Sequence, residues 1–165
     1  MEATSDNKWK ALLKATGFFS PFDDSELEEL LKFGEGRKYR MHEYIIREKD
    51  PSSRLYIILH GRVSIVKDSA MQNKTQIGTL EAGYVIGEIA TLLNERRTAT
   101  IIASEETFMF TMESALIEQL SPKAQIKFYK QLAIYLAKKL KAISLTSAQQ
   151  TIWLSDWYKE HDRGF

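Results

Sequence analysis

The sequence predicts a mainly β fold with flanking helices: a β-roll of the double-stranded jelly-roll kind, with N-terminal helices, a short internal helix and a long C-terminal helix. Three observations predict it. From Arg37 to about Met112, short apolar runs alternate with turn-forming residues at the intervals of an all-β roll. Only Glu88-Ile89-Ala90-Thr91-Leu92-Leu93, after Gly87, breaks that rhythm with a helical pattern. From Pro122 to about Ser147, apolar residues recur at steps of three and four, as on one side of a long helix.

The elements follow in order. Trp9-Lys10-Ala11-Leu12-Leu13 reads as helical, and Asp24-Ser25-Glu26 opens a second helix with Leu27, Leu30 and Leu31 on one face. Asp50-Pro51-Ser52-Ser53 is a turn by composition, because proline presets its own φ and short polar side chains bond to nearby backbone. Leu55 to Val66 is a pair of β-rich runs broken at Gly61, which suits a sharp bend or bulge. Asn73-Lys74 marks a turn before the run Thr75 to Leu80. Thr100 to Ala103 and Thr107 to Thr111 are the last strands, and Glu113 to Leu120 reads as a brief helix. Ser121-Pro122 then offers a capping hydroxyl and a proline at the first helical position. The expected organisation is a helical segment at 1–36, a roll at 37–112, helices at 113–149 and an aromatic tail at 150–165.

Composition narrows the function. With 23 basic and 22 acidic side chains and a net charge of +1, the chain has no broad attraction for nucleic acid or an anionic membrane. There is no cysteine, hence no disulfide or thiolate metal site. His42, His60 and His161 are scattered, so no metal is expected, and no paired carboxylates or Ser/His/Asp set suggest catalysis. An enzyme is therefore not expected. Met1 to Lys10 is polar, and no run approaches a membrane span, so cytoplasmic residence is the default expectation.

The chemistry concentrates between Gly83 and Thr100, within segment 83–100. Gly87 lets the backbone approach a ligand closely, and the first N–H groups of the helix after it have no partner inside the helix, which suits an anion. Arg97 offers a planar fork of donors for two phosphate oxygens, and Thr98 adds a hydroxyl. Glu88, an acceptor when ionised, is repelled by phosphate but can hold a ribose hydroxyl. Plainer readings exist: Arg97 could pair with Glu95 on the surface, Glu88 could be a first-turn acid favoured by the helix dipole, and Thr98 an ordinary strand residue.

Gly87, Glu88, Ala90, Arg97, Thr98 and Ala99 together resemble the phosphate-binding cassette of cyclic nucleotide-binding domains, Gly-Glu-x-Ala, a short helix, then Arg, a small residue and Ala. Leu55, Tyr56, Ile58, Gly61 and Val63 are similar to the family's Leu-Tyr-x-Ile-x-x-Gly-x-Val signature, and the likeness runs from about Phe18 to Ala103. The resemblance implies that Arg97 binds the exocyclic phosphate oxygens, that Glu88 binds the ribose 2′-hydroxyl, and that backbone N–H groups of Ile89 and Ala90 complete the site. The resemblance likewise implies cyclic AMP or cyclic GMP as the ligand, and no other cofactor. Where the family usually has glycine, this chain has His42 and Lys49, so the resemblance leaves those turns to be built differently. Arg96 stands where proline often precedes the arginine. A cupin enzyme shares a comparable roll but needs a His-x-His cluster that is absent.

In the family, the long C-terminal helix caps the base, here around Ile143 and Ser144, and in bacterial activators it forms a dimer. The stripe Ile126, Tyr129, Ala133, Leu136, Leu140 and Ile143 suits such a seam across 126–143, and a second row, Phe128, Leu132 and Tyr135, widens the apolar face; the plainer reading is that this whole face packs on the chain's own roll. Residues after the helix leave no room for a winged DNA reader, so the expectation is a sensor module switching an unidentified protein partner. The alternatives are a ligand-free domain of the same fold acting as a dimerisation or docking scaffold, and a truncated transcription regulator.

Overall fold

The structure is a computed structural model that describes the backbone of residues 2–51, 53–68 and 74–161 and the side chains of residues 7–51, 53–67 and 75–142. Helix α1 (Glu2–Ala15) and a 3-10 turn (Gly17–Phe19) lead to α2 (Asp24–Phe33). Helix α2 starts on a complete capping box: the Asp23 side chain accepts from the Glu26 N–H, and the Glu26 side chain accepts from the Asp23 N–H. Strands β1 (Glu35–Tyr39), β2 (Tyr44–Ile46), β3 (Arg54–His60), β4 (Arg62–Asp68), β5 (Lys74–Glu81) and β6 (Val85–Ile86) precede α3 (Glu88–Leu93). Strands β7 (Thr100–Ala103) and β8 (Thr107–Glu113), helix α4 (Ser114–Ile117) and helix α5 (Pro122–His161) complete the chain.

The strands form two four-stranded antiparallel sheets, ordered β1-β8-β3-β6 and β2-β7-β4-β5. Gly61 is the point at which the chain leaves the first sheet for the second. It sits at φ 92°, and a Cβ there would lie 2.6 Å from the Glu106 carbonyl oxygen, so only glycine makes this crossing without strain. The inward faces carry Tyr39, Tyr56, Ile58 and Met109 from one sheet and Ile46, Val63, Ile101 and Ala103 from the other, a packed apolar core. A second cluster is aromatic: Phe19 packs edge-on to Phe18, Phe22 and Phe110, and Phe18 packs edge-on to Phe128 of α5.

The chain divides into two compact units, Met1–Phe128 and Tyr129–Phe165. Within the first, the start of α5 and Ser121 before it are anchored by carboxylates of α2 and of its N-cap, Asp23. Ser121 donates its N–H and its hydroxyl to Glu29, Lys123 pairs with Asp23 at 2.9 Å, and Lys127 reaches the buried Glu26 at 2.6 Å. The Ser121 hydroxyl donates to Glu29, and Pro122 opens the helix as expected. Helix α5 runs on to His161, beyond the expected end near Ser147, since nothing in Thr146 to Tyr158 is a helix breaker. Of the apolar rows on α5, Phe128 and Leu132 are buried, whereas Ile126, Tyr129 and Leu140 are 67%, 41% and 65% exposed. No helix among the described residues is long and apolar enough to cross a membrane.

Candidate functional site

Segment 83–100 folds as a strand end, a glycine, one short helix and a return loop. Gly87 caps α3 with φ 85° and ψ 8°, a conformation that costs an L-residue strain, and a Cβ on it would lie 2.0 Å from Arg97 Nη1. Asn94 closes the helix in the left-handed region at φ 54°, with its N–H bonded to the Ala90 carbonyl. The tight start and tight stop bring Arg97 back against the residue that opens the helix.

Arg97 is 4% exposed. Its Nη1 donates to the Gly87 carbonyl at 3.2 Å and its Nη2 to the Arg54 carbonyl at 2.5 Å, and its guanidinium carbon lies 5.8 Å from the Tyr56 ring centre. Burial pulls the Arg97 pKa below its ordinary value, while the Tyr56, Glu88 and Asp50 oxygens act in the opposite direction. A surface pair with Glu95 does not describe this residue, since such a pair needs an exposed guanidinium. Glu88 is also 4% exposed, and its carboxylate attracts Arg97 electrostatically. Ala90 is buried, Ile89 is 41% exposed, Thr98 is exposed, and Ala99 is half-buried. Arg97, Glu88 and Gly87 thus come together, while the Thr98 side chain stands at the surface. Ile143 and Ser144 lie in α5, but their side chains fall outside the described residues, as does the 150–165 tail's side-chain chemistry.

Long-range bonds to the 48–50 segment, which the sequence reading did not foresee, hold the loop in place. The Lys49 N–H donates to the Arg97 carbonyl at 2.8 Å, and the Arg97 N–H donates to the Asp50 carbonyl at 3.0 Å. Arg96 Nη1 donates to the Lys49 carbonyl at 3.0 Å, and the Glu48 N–H donates to Thr100 Oγ1 at 3.0 Å. These bonds join residues 47 to 52 positions apart, so no local pattern announces them. Lys49 sits at φ 70° and His42 at φ 68°. Both turns therefore keep the left-handed backbone that glycine usually supplies, and the expectation of differently built turns is corrected. The surrounding bonds impose the conformation: His42 N–H donates to Ala103 O at 2.8 Å, and Lys49 is pinned to Arg97.

The family profile described as the cyclic nucleotide-binding domain matches residues 36–122. The chain belongs to that family. Among curated relatives, it is 23% identical over 121 residues to the cGMP-dependent protein kinase egl-4 of Caenorhabditis elegans, covering 73% of this chain and 15% of that protein. It is 33% identical over 98 residues to the cGMP-dependent protein kinase of Plasmodium berghei, covering 59% of this chain and 11% of the kinase. The chain thus spans a small fraction of these relatives, and the match is to a regulatory binding domain, not to a catalytic fold. Among solved structures, a cyclic nucleotide-binding domain from Methylobacillus flagellatus superposes with a TM-score of 0.70 at 22% identity, over 84% of this chain and 80% of that one. The catabolite activator protein of Thermus thermophilus gives 0.64 at 22% identity, over 81% of this chain and 62% of that one. The regulatory domain of Toxoplasma gondii PKA, crystallised with cAMP, gives 0.63 at 20% identity, over 81% and 51%. These likenesses establish the roll with its flanking helices as this family's fold.

Proposed function

We propose that this chain is a sensor that binds cyclic AMP or cyclic GMP at the Gly87–Ala99 cassette and passes the event to a protein partner through its C-terminal helix. The observation that carries the reading is Arg97, a cation 4% exposed and held by main-chain carbonyls on the same loop as the buried Glu88. Carbonyls are neutral acceptors, whereas a phosphate bonds both guanidinium donors and supplies charge as well. Arg97 exchanges the Gly87 and Arg54 carbonyls for phosphate oxygens, Glu88 accepts from the ribose 2′-hydroxyl, and the N–H groups of Ile89 and Ala90 meet the phosphate. The equilibrium moves only by the difference in ligand affinity between the two states.

A calorimetric titration of refolded, nucleotide-free protein with cyclic AMP and then cyclic GMP tests the reading. Binding at micromolar or tighter, about 8 kcal/mol or more, is expected. Arg97→Ala removes two charge-assisted bonds and should cost roughly 2 to 5 kcal/mol; Arg97→Lys should also weaken binding, because the fork is lost. No heat from either nucleotide with folded protein would leave the scaffold reading in its place. The exposed Ile126, Tyr129 and Leu140 favour a homodimer through 126–143 as part of the same switch. A sedimentation coefficient that stays at the monomer value across a hundredfold concentration range would remove the dimer.

A further inference from the structure

We propose that Arg54 is a positioning residue that couples Arg97 to the start of the C-terminal helices. It rests on the sensor reading only for the direction in which the coupling is used. Arg54 opens β3, and its carbonyl accepts from Arg97 Nη2. Its own guanidinium forks outward: Nη1 meets Glu35 of β1 at 2.7 Å and Nη2 meets Glu113 at 2.9 Å. Glu113 ends β8 and is the residue before α4, directly opposite Arg54 in the β3–β8 register. Next to it, the Ser114 N–H, the first of α4, donates to the Ser53 carbonyl at 3.0 Å. One residue thus takes a hydrogen bond from the cassette arginine on its backbone and holds the root of α4 with its side chain.

The joint also has room to take a second arrangement. A solvent-open cleft of about 210 Å³ lies beside it, lined among others by Glu35, Arg54, Thr111, Glu113 and Leu116. The Thr111 hydroxyl at its wall is buried and has no hydrogen-bond partner. A close-packed interior would resist rearrangement, whereas the Arg54 fork borders an open cleft into which its side chain can move. When Arg97 turns to another acceptor, the start of β3 loses the bond that fixes its carbonyl, and the Arg54 fork transmits the change to Glu113. Glu35 and Glu113 are half-exposed, at 50% and 49%, so the coupling is modest, of the order of an exposed pair in a small network.

A mutant cycle read by amide hydrogen exchange in the full chain tests this. Arg97→Ala should raise exchange of the 114–117 amides by about threefold to tenfold, in the range of measured couplings within domains. In an Arg54→Gln or Glu113→Gln background the same change should add less than half of that effect, and Arg54→Lys should restore part of it. Arg97→Lys takes the place of Arg97→Ala if the latter does not fold. Equal effects of the Arg97 change in all backgrounds would show a merely structural residue and overturn the proposal, as would unchanged 114–117 exchange in the Arg97 variant. The cycle needs no nucleotide. Failure of cyclic AMP and cyclic GMP to bind the wild type would therefore count against the sensor reading, and the cycle would still decide the role of Arg54.

Discussion

Replacing Gly87 with alanine tests the geometry of the cassette more sharply than any change of charge. At φ 85° an alanine costs about 1 to 2 kcal/mol in backbone strain alone. Its Cβ would also stand 2.0 Å from Arg97 Nη1 and 3.0 Å from the Arg54 carbonyl oxygen, so the guanidinium must leave its seat. It then gives up its bonds to the Gly87 and Arg54 carbonyls, and because it can recover some water contact the net loss is that of one bond to a charged group, about 1.5 to 3 kcal/mol. The expected destabilisation is therefore roughly 2.5 to 5 kcal/mol. Gly83→Ala is the control: φ is 92°, yet nothing lies within 4 Å of the added carbon, so only the strain of about 1 to 2 kcal/mol applies. Equilibrium urea denaturation followed by circular dichroism at neutral pH measures both. If the two substitutions cost the same within about 0.5 kcal/mol, the collision does not exist and Arg97 is not seated against Gly87.

Two further outcomes follow from the same framework. Lys49→Gly should stabilise the fold by about 0.5 to 1 kcal/mol, since relief of the left-handed strain at φ 70° exceeds the extra chain entropy of glycine; a lower midpoint in urea would contradict this. Glu26→Gln should destabilise by about 1 to 3 kcal/mol at pH 7, because Lys127 and Lys123 lose their buried counter-charge. Burial alone would raise the Glu26 carboxyl, but the Lys127 ammonium, the Asp23 N–H and Lys123 outweigh it and hold its pKa below the ordinary value of 4.5. A depressed carboxyl contributes stability that is fully present above the unfolded-state pKa and is lost as pH falls through the folded one. The gap between wild type and Glu26→Gln should accordingly be full at neutral pH and shrink in acid below the ordinary carboxylate range. A gap that stays constant down to pH 3 would refute the ion-pair account.

How far the sequence disclosed this molecule depends on the range of each interaction. Gly87, Glu88 and Arg97 were legible because a glycine, an acid and an arginine lie within one loop, where spacing alone constrains geometry. Gly61 was legible for the same reason, as the single break in a long β-rich run. Lys49, Asp50 and Arg54 were not, because their tie to Arg97 is made by backbone groups, which every residue carries, across a separation no periodicity spans. His42 and Lys49 misled for a different reason: neither favours the left-handed region, and only the bonds closed by the rest of the fold hold them there. The hold of Glu29 on the Ser121 hydroxyl was equally hidden, because the two lie 92 positions apart.

The position of β8 has a consequence for how the chain is made. In the order β1-β8-β3-β6, one of the two inner strands of the first sheet, β8, is the last of its strands to be synthesised. At about 5 to 20 residues per second, roughly 4 to 16 s separate the emergence of Glu35 from that of Glu113. Throughout that interval β1 waits with its partner unmade, and β3 waits for its neighbour on that side. Strand β1 is fitted to the wait: Glu35, Arg37 and Lys38 place charge along it, which discourages pairing with a neighbouring nascent chain. A stop between Thr100 and Glu113 thus leaves a cassette already synthesised beside a sheet that lacks one of its two inner strands.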